Sequence, residues 1–104
     1  MEVIDILKLA IVQKRQISYE YELEGKAIGI RFGNPHAIFI SKAENINIDI
    51  YKNGGVRSCK KPIPDWRQYK VKHIKNVFIL EQEFVEAKGY NPNSIQYSRV
   101  IAKI

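Results

Sequence analysis

No run of apolar residues in this sequence approaches the roughly 18 that a bilayer-spanning helix needs. The N-terminus, MEVIDILKLAIVQKRQ, carries acidic residues where a secretory signal peptide would be basic. The single cysteine, Cys59, excludes an internal disulfide, although small proteins of oxidising compartments usually carry several cysteines. These absences predict a soluble, cytoplasmic protein that has no membrane partner.

Side chains that carry catalytic or metal chemistry are also scarce. The two histidines, His36 and His73, lack the spacing of paired metal ligands. Cys59 lies beside Lys60 and Lys61, a setting that favours a reactive thiolate, but the sequence indicates no base or orienting partner for it. We therefore predict no catalytic residues, no metal, no cofactor and no enzymatic activity.

Charge is distributed unevenly along the chain. The 104 residues carry 17 Lys and Arg against 11 Asp and Glu, a net charge of +6. Residues 1–51 hold six basic and seven acidic side chains, whereas residues 52–104 hold eleven and four. Within residues 52–75, eight basic side chains face only Asp65. Such a block favours an anionic partner, a nucleic acid or a phosphorylated molecule, and the alternative is a merely solubilising surface.

The first residues have the pattern of an amphipathic helix. Ile4, Leu7 and Ile11 recur at helical spacing, with acidic residues in the first turn and basic residues in the last. The pattern predicts a helix over residues 2–15. From residue 16 onward the apolar period changes to two, which indicates β-strands.

We predict one domain over residues 1–104, in which the helix precedes a β-structure over residues 16–104. Turn residues divide that region into two antiparallel hairpins, two further strands and a C-terminal strand, with strands expected at 17–23, 26–32, 36–41, 46–51, 66–71 and 77–84. Five or six short strands after one helix predict a mainly β fold, a strongly bent sheet or small barrel.

The most basic strand, in the stretch PDWRQYKVKHIKNV, divides into two faces by the alternation of side chains. Tyr69, Val71 and Ile74 are expected in the core. Trp66 and Lys70 are then left outside, where an indole ring can stack on a base while an ammonium group meets a phosphate. The alternative is that Trp66 covers the sheet edge beneath a neighbouring loop.

The preceding loop, KNGGVRSCKKPIPD, is the longest in the predicted fold. Its two glycines and its lysines superficially match a phosphate-cradling loop, but the Walker spacing and a following helix are missing. A plain connection between strands is the alternative.

The order of these features resembles the WYL domain family, in particular its short stand-alone bacterial members. The matching motifs are LKLAI, ISYEY, IGIRF, NPHAI, NGG, WRQYKVKHI and the ending GYNPN to SRVIAKI, which together cover nearly the whole chain. The resemblance implies a small Sm-like or SH3-like barrel with an N-terminal helix. It also implies a ligand-sensing role, often toward nucleotides or nucleic acid, and regulation through a partner regulator or direct nucleic-acid contact.

Two departures from the family pattern concern the ligand site. The Trp-Tyr-Leu triplet that names the family falls on Ile46, Asn47 and Ile48. The basic positions after the WR step fall on Lys70 and His73, where arginine is more usual. Because arginine clamps phosphate with a planar fork and lysine offers only a point charge, the ligand or its affinity is expected to differ.

Two functions follow as hypotheses. The first is a non-enzymatic, regulatory binding module that recognises a nucleotide or a nucleic-acid segment through a basic aromatic surface made of Trp66, Arg67, Lys70, His73, Lys60 and Lys61. The second is a protein-interaction or homo-oligomerisation subunit, in which strand edges pair between chains and the basic loop only keeps the protein soluble.

Overall fold

The computed structural model describes residues 1–104 and has one α-helix followed by six strands. The predicted mainly β fold with an N-terminal helix is confirmed. Two short 3-10 turns cover Val71–His73 and Ile95–Tyr97. The elements are α1 Val3–Gln13, β1 Arg15–Tyr21, β2 Arg31–Ile40, β3 Ile46–Gly55, β4 Asp65–Lys70, β5 Ile74–Glu83 and β6 Val100–Lys103.

Helix α1 forms where the apolar period predicted it and buries one stripe against the sheet. Leu7, Ala10 and Ile11 are buried, and the helix packs on β5, β2 and β1. It ends at Lys14, whose left-handed backbone turns its N–H back toward the last carbonyls of the helix. No helix in the structure has the length and apolar character needed to cross a bilayer.

The six strands form one antiparallel sheet in the order β4-β3-β2-β1-β5. Strand β2 pairs with β3 along its whole length, and its other edge is divided between β1 and β6. The predicted pairing of the C-terminal segment with the sheet is thereby confirmed. β4 and β5 lie at the two ends of the sheet, which is not closed into a barrel.

Both faces of the sheet are covered in part. On one face, α1 and the inward residues of the strands form the main core, which includes Leu7, Ile11, Ile17, Tyr19, Ile38, Ile48, Ile50 and Tyr69. On the other face, Ala37 and Phe39 pack against Tyr97 and Tyr90 of the segment between β5 and β6. The expected core positions Tyr69, Val71 and Ile74 are all buried, although only Tyr69 lies in β4, since a 3-10 turn begins at Val71 and β5 at Ile74.

Three strand predictions were clearly wrong in their bounds. The strand expected at 46–51 continues as β3 through Gly55, so residues 52–55 belong to it and not to the loop that follows. Residues 26–30 form a loop rather than a strand, because Gly25 and Gly29 have positive φ angles and the side chains of Ile28 and Ile30 point into solvent. Strand β2 then continues through the expected break at Pro35. A register shift between Pro35 and Ala37 accommodates the proline, which has no N–H to donate.

Candidate functional site

A cleft of about 310 Å³ lies where the core face of β3 and β4 meets the loops over residues 22–30 and 56–64. Its lining holds no Asp or Glu but contains five basic side chains, those of Lys26, Arg31, Lys52, Arg67 and Lys70. We call it the basic cleft. Its cations originate from three strands and a loop, so the fold brings together charges that are far apart in the sequence.

Arg31 is the centre of this charge. It is 3% exposed, and its Nη2 donates to the Ala27 carbonyl and to Ser58 Oγ, each at 2.9 Å. The guanidinium carbon lies 5.8 Å and 5.7 Å from the ring centroids of Tyr21 and Tyr69. No carboxylate pairs with Arg31, and its Nε has no hydrogen-bond partner. The guanidinium is therefore held by rings and neutral oxygens alone.

Lys52 is the second buried cation, with 0% of its surface exposed. Its Nζ donates to the Val56 carbonyl and has no carboxylate partner. Burial, reinforced by the positive charges of Arg31 and Arg67, lowers the pKa of Lys52 to about 8. Its ammonium group therefore lies in a site that disfavours positive charge in the absence of an anion.

Ser58 joins the two loops that meet over the cleft. Its hydroxyl oxygen accepts the Ala27 N–H at 2.9 Å as well as the Arg31 Nη2. The neighbouring Cys59 also lines the cleft and is exposed. A hydrogen bond from the Lys61 backbone and the nearby positive charge of Arg67 lower the pKa of the Cys59 thiol.

Two of the predicted ligand residues, Arg67 and Lys70, line the basic cleft. The Arg67 side chain is 13% exposed and lies 3.4 Å from Asp65 Oδ2, while its nitrogens also donate to the carbonyls of Trp66 and Lys61. Lys70 is exposed and has no ion-pair partner. These two residues thus present one anchored and one free cation.

Trp66 lies on the opposite face of β4 and does not line the basic cleft. Its ring packs edge-on against His36 and Tyr51, with centroid separations of 4.7 Å and 5.3 Å, and its Nε1 donates to the Lys88 carbonyl. The loop after β5 passes over it, as the alternative interpretation of Trp66 had it. Trp66 instead lines a second cleft of about 360 Å³, which we call the aromatic–amide cleft and define by Trp66, Tyr90, Tyr97, Asp49, Gln68 and Gln96.

The remaining predicted ligand residues lie apart from the basic cleft. His73 is partly buried, and its ring packs at right angles to Tyr21 at 5.9 Å. Lys60 and Lys61 are exposed in the same loop as Ser58, but neither lines the cleft. The expected surface of six residues is therefore divided among four places, with only Arg67 and Lys70 together in the basic cleft.

Three of the five basic residues of the cleft were missing from the sequence-based prediction: Lys26, Arg31 and Lys52. Lys52 had been assigned to a loop, although it continues the spacing of Ile48 and Ile50 by two residues. A lysine at the next inward position of a buried strand is rare unless it has a partner or a function. The spacing of two residues from Ile50 could therefore have indicated that Lys52 is a functional residue. Arg31 offered no such signal, because the strand expected around it was wrong.

The arrangement suits the binding of an anion. Arginine and lysine side chains with neutral hydrogen-bond partners can take up phosphate oxygens without first breaking an internal salt bridge. No group of three or more His, Cys, Asp or Glu side chains is placed to hold a metal ion.

The chain was compared with family models, with curated proteins and with solved structures, and it matches none of them.

Proposed function

We propose that the protein is a non-enzymatic, WYL-type regulatory module that binds a nucleotide or a nucleic-acid segment, with the phosphate in the basic cleft. The observation that carries the proposal is the convergence of Lys26, Arg31, Lys52, Arg67 and Lys70 on a cleft whose lining has no carboxylate. A bound phosphate would supply the missing countercharge.

The two buried cations would gain most from a bound anion. Removing a charged group from water costs several kcal/mol unless a charge of opposite sign lies near it. Arg31 and Lys52 are 3% and 0% exposed and have only uncharged partners. A protein that binds no anion has no need for this arrangement, whereas a phosphate site gains affinity from it.

The unsatisfied polar atoms add independent support. Two buried side-chain atoms in the structure lack a hydrogen-bond partner, Nε of Arg31 and Oδ1 of Asn47, and both residues line the basic cleft. Such atoms are uncommon in folded proteins and call for an explanation. A ligand that offers a phosphate oxygen to Arg31 and a hydroxyl to Asn47 would satisfy both.

We also propose that the fold is a small barrel of the Sm-like or SH3-like kind. One antiparallel sheet with an N-terminal helix against its inner face is compatible with the Sm-like or SH3-like barrel that the resemblance implies. In such a barrel, β4 and β5 would approach each other across the opening of the sheet.

A salt titration tests the proposed site. Binding of a short fluorescent oligonucleotide is measured at several salt concentrations for the wild type, Lys70→Ala and Lys72→Ala. Lys70 lines the basic cleft and Lys72 does not, although both are exposed lysines within two positions of each other. Loss of one phosphate contact in Lys70→Ala should flatten the slope of log affinity against log salt by roughly 0.7 to 0.9.

The matched variant decides the outcome. We expect Lys72→Ala to keep the wild-type slope, because its charge lies outside the cleft. Equal slopes for all three proteins, or no binding of DNA, RNA or nucleotides by the intact protein, would refute a phosphate site in the basic cleft.

Self-association is a second candidate function, and the end strand β5 favours it. β5 pairs only with β1, and its Phe78 is 64% exposed. An open strand edge with an exposed aromatic residue is a template for pairing with a second chain. Light scattering of the wild type and Phe78→Lys tests this: a dimer that dissociates in the variant supports it, and a monomeric wild type excludes it.

A further inference from the structure

The aromatic–amide cleft lies on the face of β3 and β4 opposite the basic cleft. Its volume of about 360 Å³ falls in the range of small-molecule sites. Because β4 is an end strand, its outer edge is not covered by another strand, so the two clefts adjoin around that edge. Arg67 and Gln68 line both of them.

Aromatic rings form one part of this cleft and are held in place by their own contacts. Trp66 and Tyr90 lie nearly parallel, 28° apart in orientation, with their centroids 6.1 Å apart. The Trp66 Nε1 donates to the Lys88 carbonyl, and the Tyr90 hydroxyl donates to the Ile104 carbonyl. Rings fixed in this way can stack on a planar ligand ring at little cost in conformational entropy.

Two side-chain amides form another part, and a buried carboxylate orients them. Asp49, 7% exposed, accepts Gln68 Nε2 at 2.9 Å, Gln96 Nε2 at 3.2 Å and the Tyr97 hydroxyl at 2.6 Å. Gln96 therefore retains its second N–H, and its Oε1 accepts only one long contact of 3.4 Å. A paired donor and acceptor on one amide matches the hydrogen-bonding edge of a nucleobase.

We infer that the two clefts form one composite site for a nucleotide unit, with the base in the aromatic–amide cleft and the phosphate in the basic cleft across the edge of β4. The inference rests on the proposed function, and it adds a second contact surface and a ligand class. Arg67, which lines both clefts, lies where the sugar–phosphate portion would cross.

The sole tryptophan provides a direct readout, because Trp66 itself lines the inferred base site. Its fluorescence is titrated with the four ribonucleosides and the four ribonucleoside triphosphates. Because Trp66 does not line the basic cleft, the affinities of inorganic triphosphate and of the nucleoside triphosphates are compared by isothermal titration calorimetry. The composite site predicts quenching by nucleosides and by nucleoside triphosphates. It also predicts that at least one nucleoside triphosphate binds roughly tenfold more tightly than inorganic triphosphate.

Two variants assign the contributions. Gln96→Met removes the amide at similar size, and we expect it to abolish the advantage of that nucleoside triphosphate over inorganic triphosphate. Lys70→Ala should weaken triphosphate binding and leave the quenching by nucleosides unchanged. Gln82→Met is the matched control, since Gln82 is an exposed glutamine of β5 that lines neither cleft. Thermal unfolding of each variant verifies that it is folded.

The outcomes separate the two proposals. If inorganic triphosphate and the nucleoside triphosphates bind equally, nucleosides leave Trp66 unchanged and Lys70→Ala weakens binding, the composite site is wrong and the phosphate site stands. If no triphosphate binds, or if Lys70→Ala has no effect on triphosphate binding, both proposals are wrong.

Discussion

On one side of β4, the buried carboxylate of Asp49 accepts three hydrogen bonds from neighbouring side chains. On the other side, the buried cations Arg31 and Lys52 meet only neutral oxygens and aromatic rings. The two regions share strands β3 and β4. They differ in whether the protein itself supplies the partners of the buried charge: the set of partners is complete around Asp49 and lacks a countercharge around Arg31 and Lys52. The complete region holds the amides of the inferred base site in place, and the incomplete region is the one that would gain a countercharge from a bound phosphate.

This difference makes opposite predictions for stability. A buried charge with all its hydrogen bonds made stabilises the fold through its partners, and its removal leaves them unsatisfied. A buried charge without a countercharge weakens the fold, and its removal relieves that cost. Substitutions of Asp49 and Lys52 therefore test the comparison directly.

The largest expected effect is that of Asp49→Ala. It would leave the Tyr97 hydroxyl and two glutamine amides without their acceptor, so we expect the free energy of unfolding to fall by about 3 kcal/mol. Urea denaturation measures this change, and Asp49→Asn, which keeps one acceptor oxygen, should lose less. A loss in Asp49→Ala below about 1 kcal/mol would show that the hydrogen bonds to Asp49 do not stabilise the fold as described.

For Lys52→Met we expect the opposite sign. Methionine fills the space of the aliphatic stem without the charge, so the free energy of unfolding should stay unchanged or rise by up to about 2 kcal/mol. The same substitution at the exposed Lys70 is the control and should change little. Clear destabilisation by Lys52→Met in urea would contradict an uncompensated charge at this position.

The pH dependence of stability sharpens the same point. Lys52 has a folded pKa of about 8, below its ordinary value of 10.5, so the unfolded chain holds more protons between these two values. The contribution of Lys52 to stability should therefore rise with pH in this window, by about 1 kcal/mol per pH unit, while Tyr19, Tyr90 and Tyr97, whose pKa values burial raises, contribute with the opposite sign near its upper end.

Urea unfolding across the window measures the rise. Cys59→Ser is the background, because the Cys59 thiol also has a lowered pKa and would add a pH dependence of its own. Lys52→Met in that background should lose the rise. Parallel pH profiles for the two proteins would argue that Lys52 is not the group responsible.

The smallest expected effect concerns the loops over the basic cleft. Ser58→Ala removes the acceptor of both the Ala27 N–H and the Arg31 Nη2, and we expect a loss of about 1 kcal/mol. Amide hydrogen exchange should also become faster in residues 22–30. Ser98→Ala, at an exposed position outside the cleft, is the control. Equal effects of the two substitutions would show that Ser58 does not hold the two loops together.

Much of the fold could be predicted because the apolar period is strong in α1, β1, β3 and β4. Parity placed Tyr69 and Val71 in the core, and both are buried; Ile74, also expected there, is buried at the start of β5, beyond a 3-10 turn. The predicted closure into a barrel is not found, because β4 and β5 do not pair with each other. Such pairing depends on tertiary geometry, which local sequence patterns do not encode.

The candidate site was harder to predict because its charges are assembled by strand pairing. Gly33 pairs with Lys52, and Tyr19 pairs with Arg31, so two cations from different strands reach one end of the core face. Arg31 lies near the end of the predicted strand 26–32, of which residues 26–30 are a loop, so local alternation did not indicate the face on which its side chain lies. Trp66 and Lys70 both lie outside the core, as predicted, but only Lys70 lines the basic cleft, whereas Trp66 lies beneath the loop after β5, a contact that no local pattern indicates.

The most direct test of a phosphate site in the basic cleft is an NMR titration of the isotope-labelled protein with inorganic triphosphate. We predict that the largest shifts fall on Arg31, Ser58, Arg67 and Lys70, and that the exposed Lys60, Lys61 and Lys72 change little. Shifts spread evenly over the exposed lysines, or no shifts at all, would contradict the account.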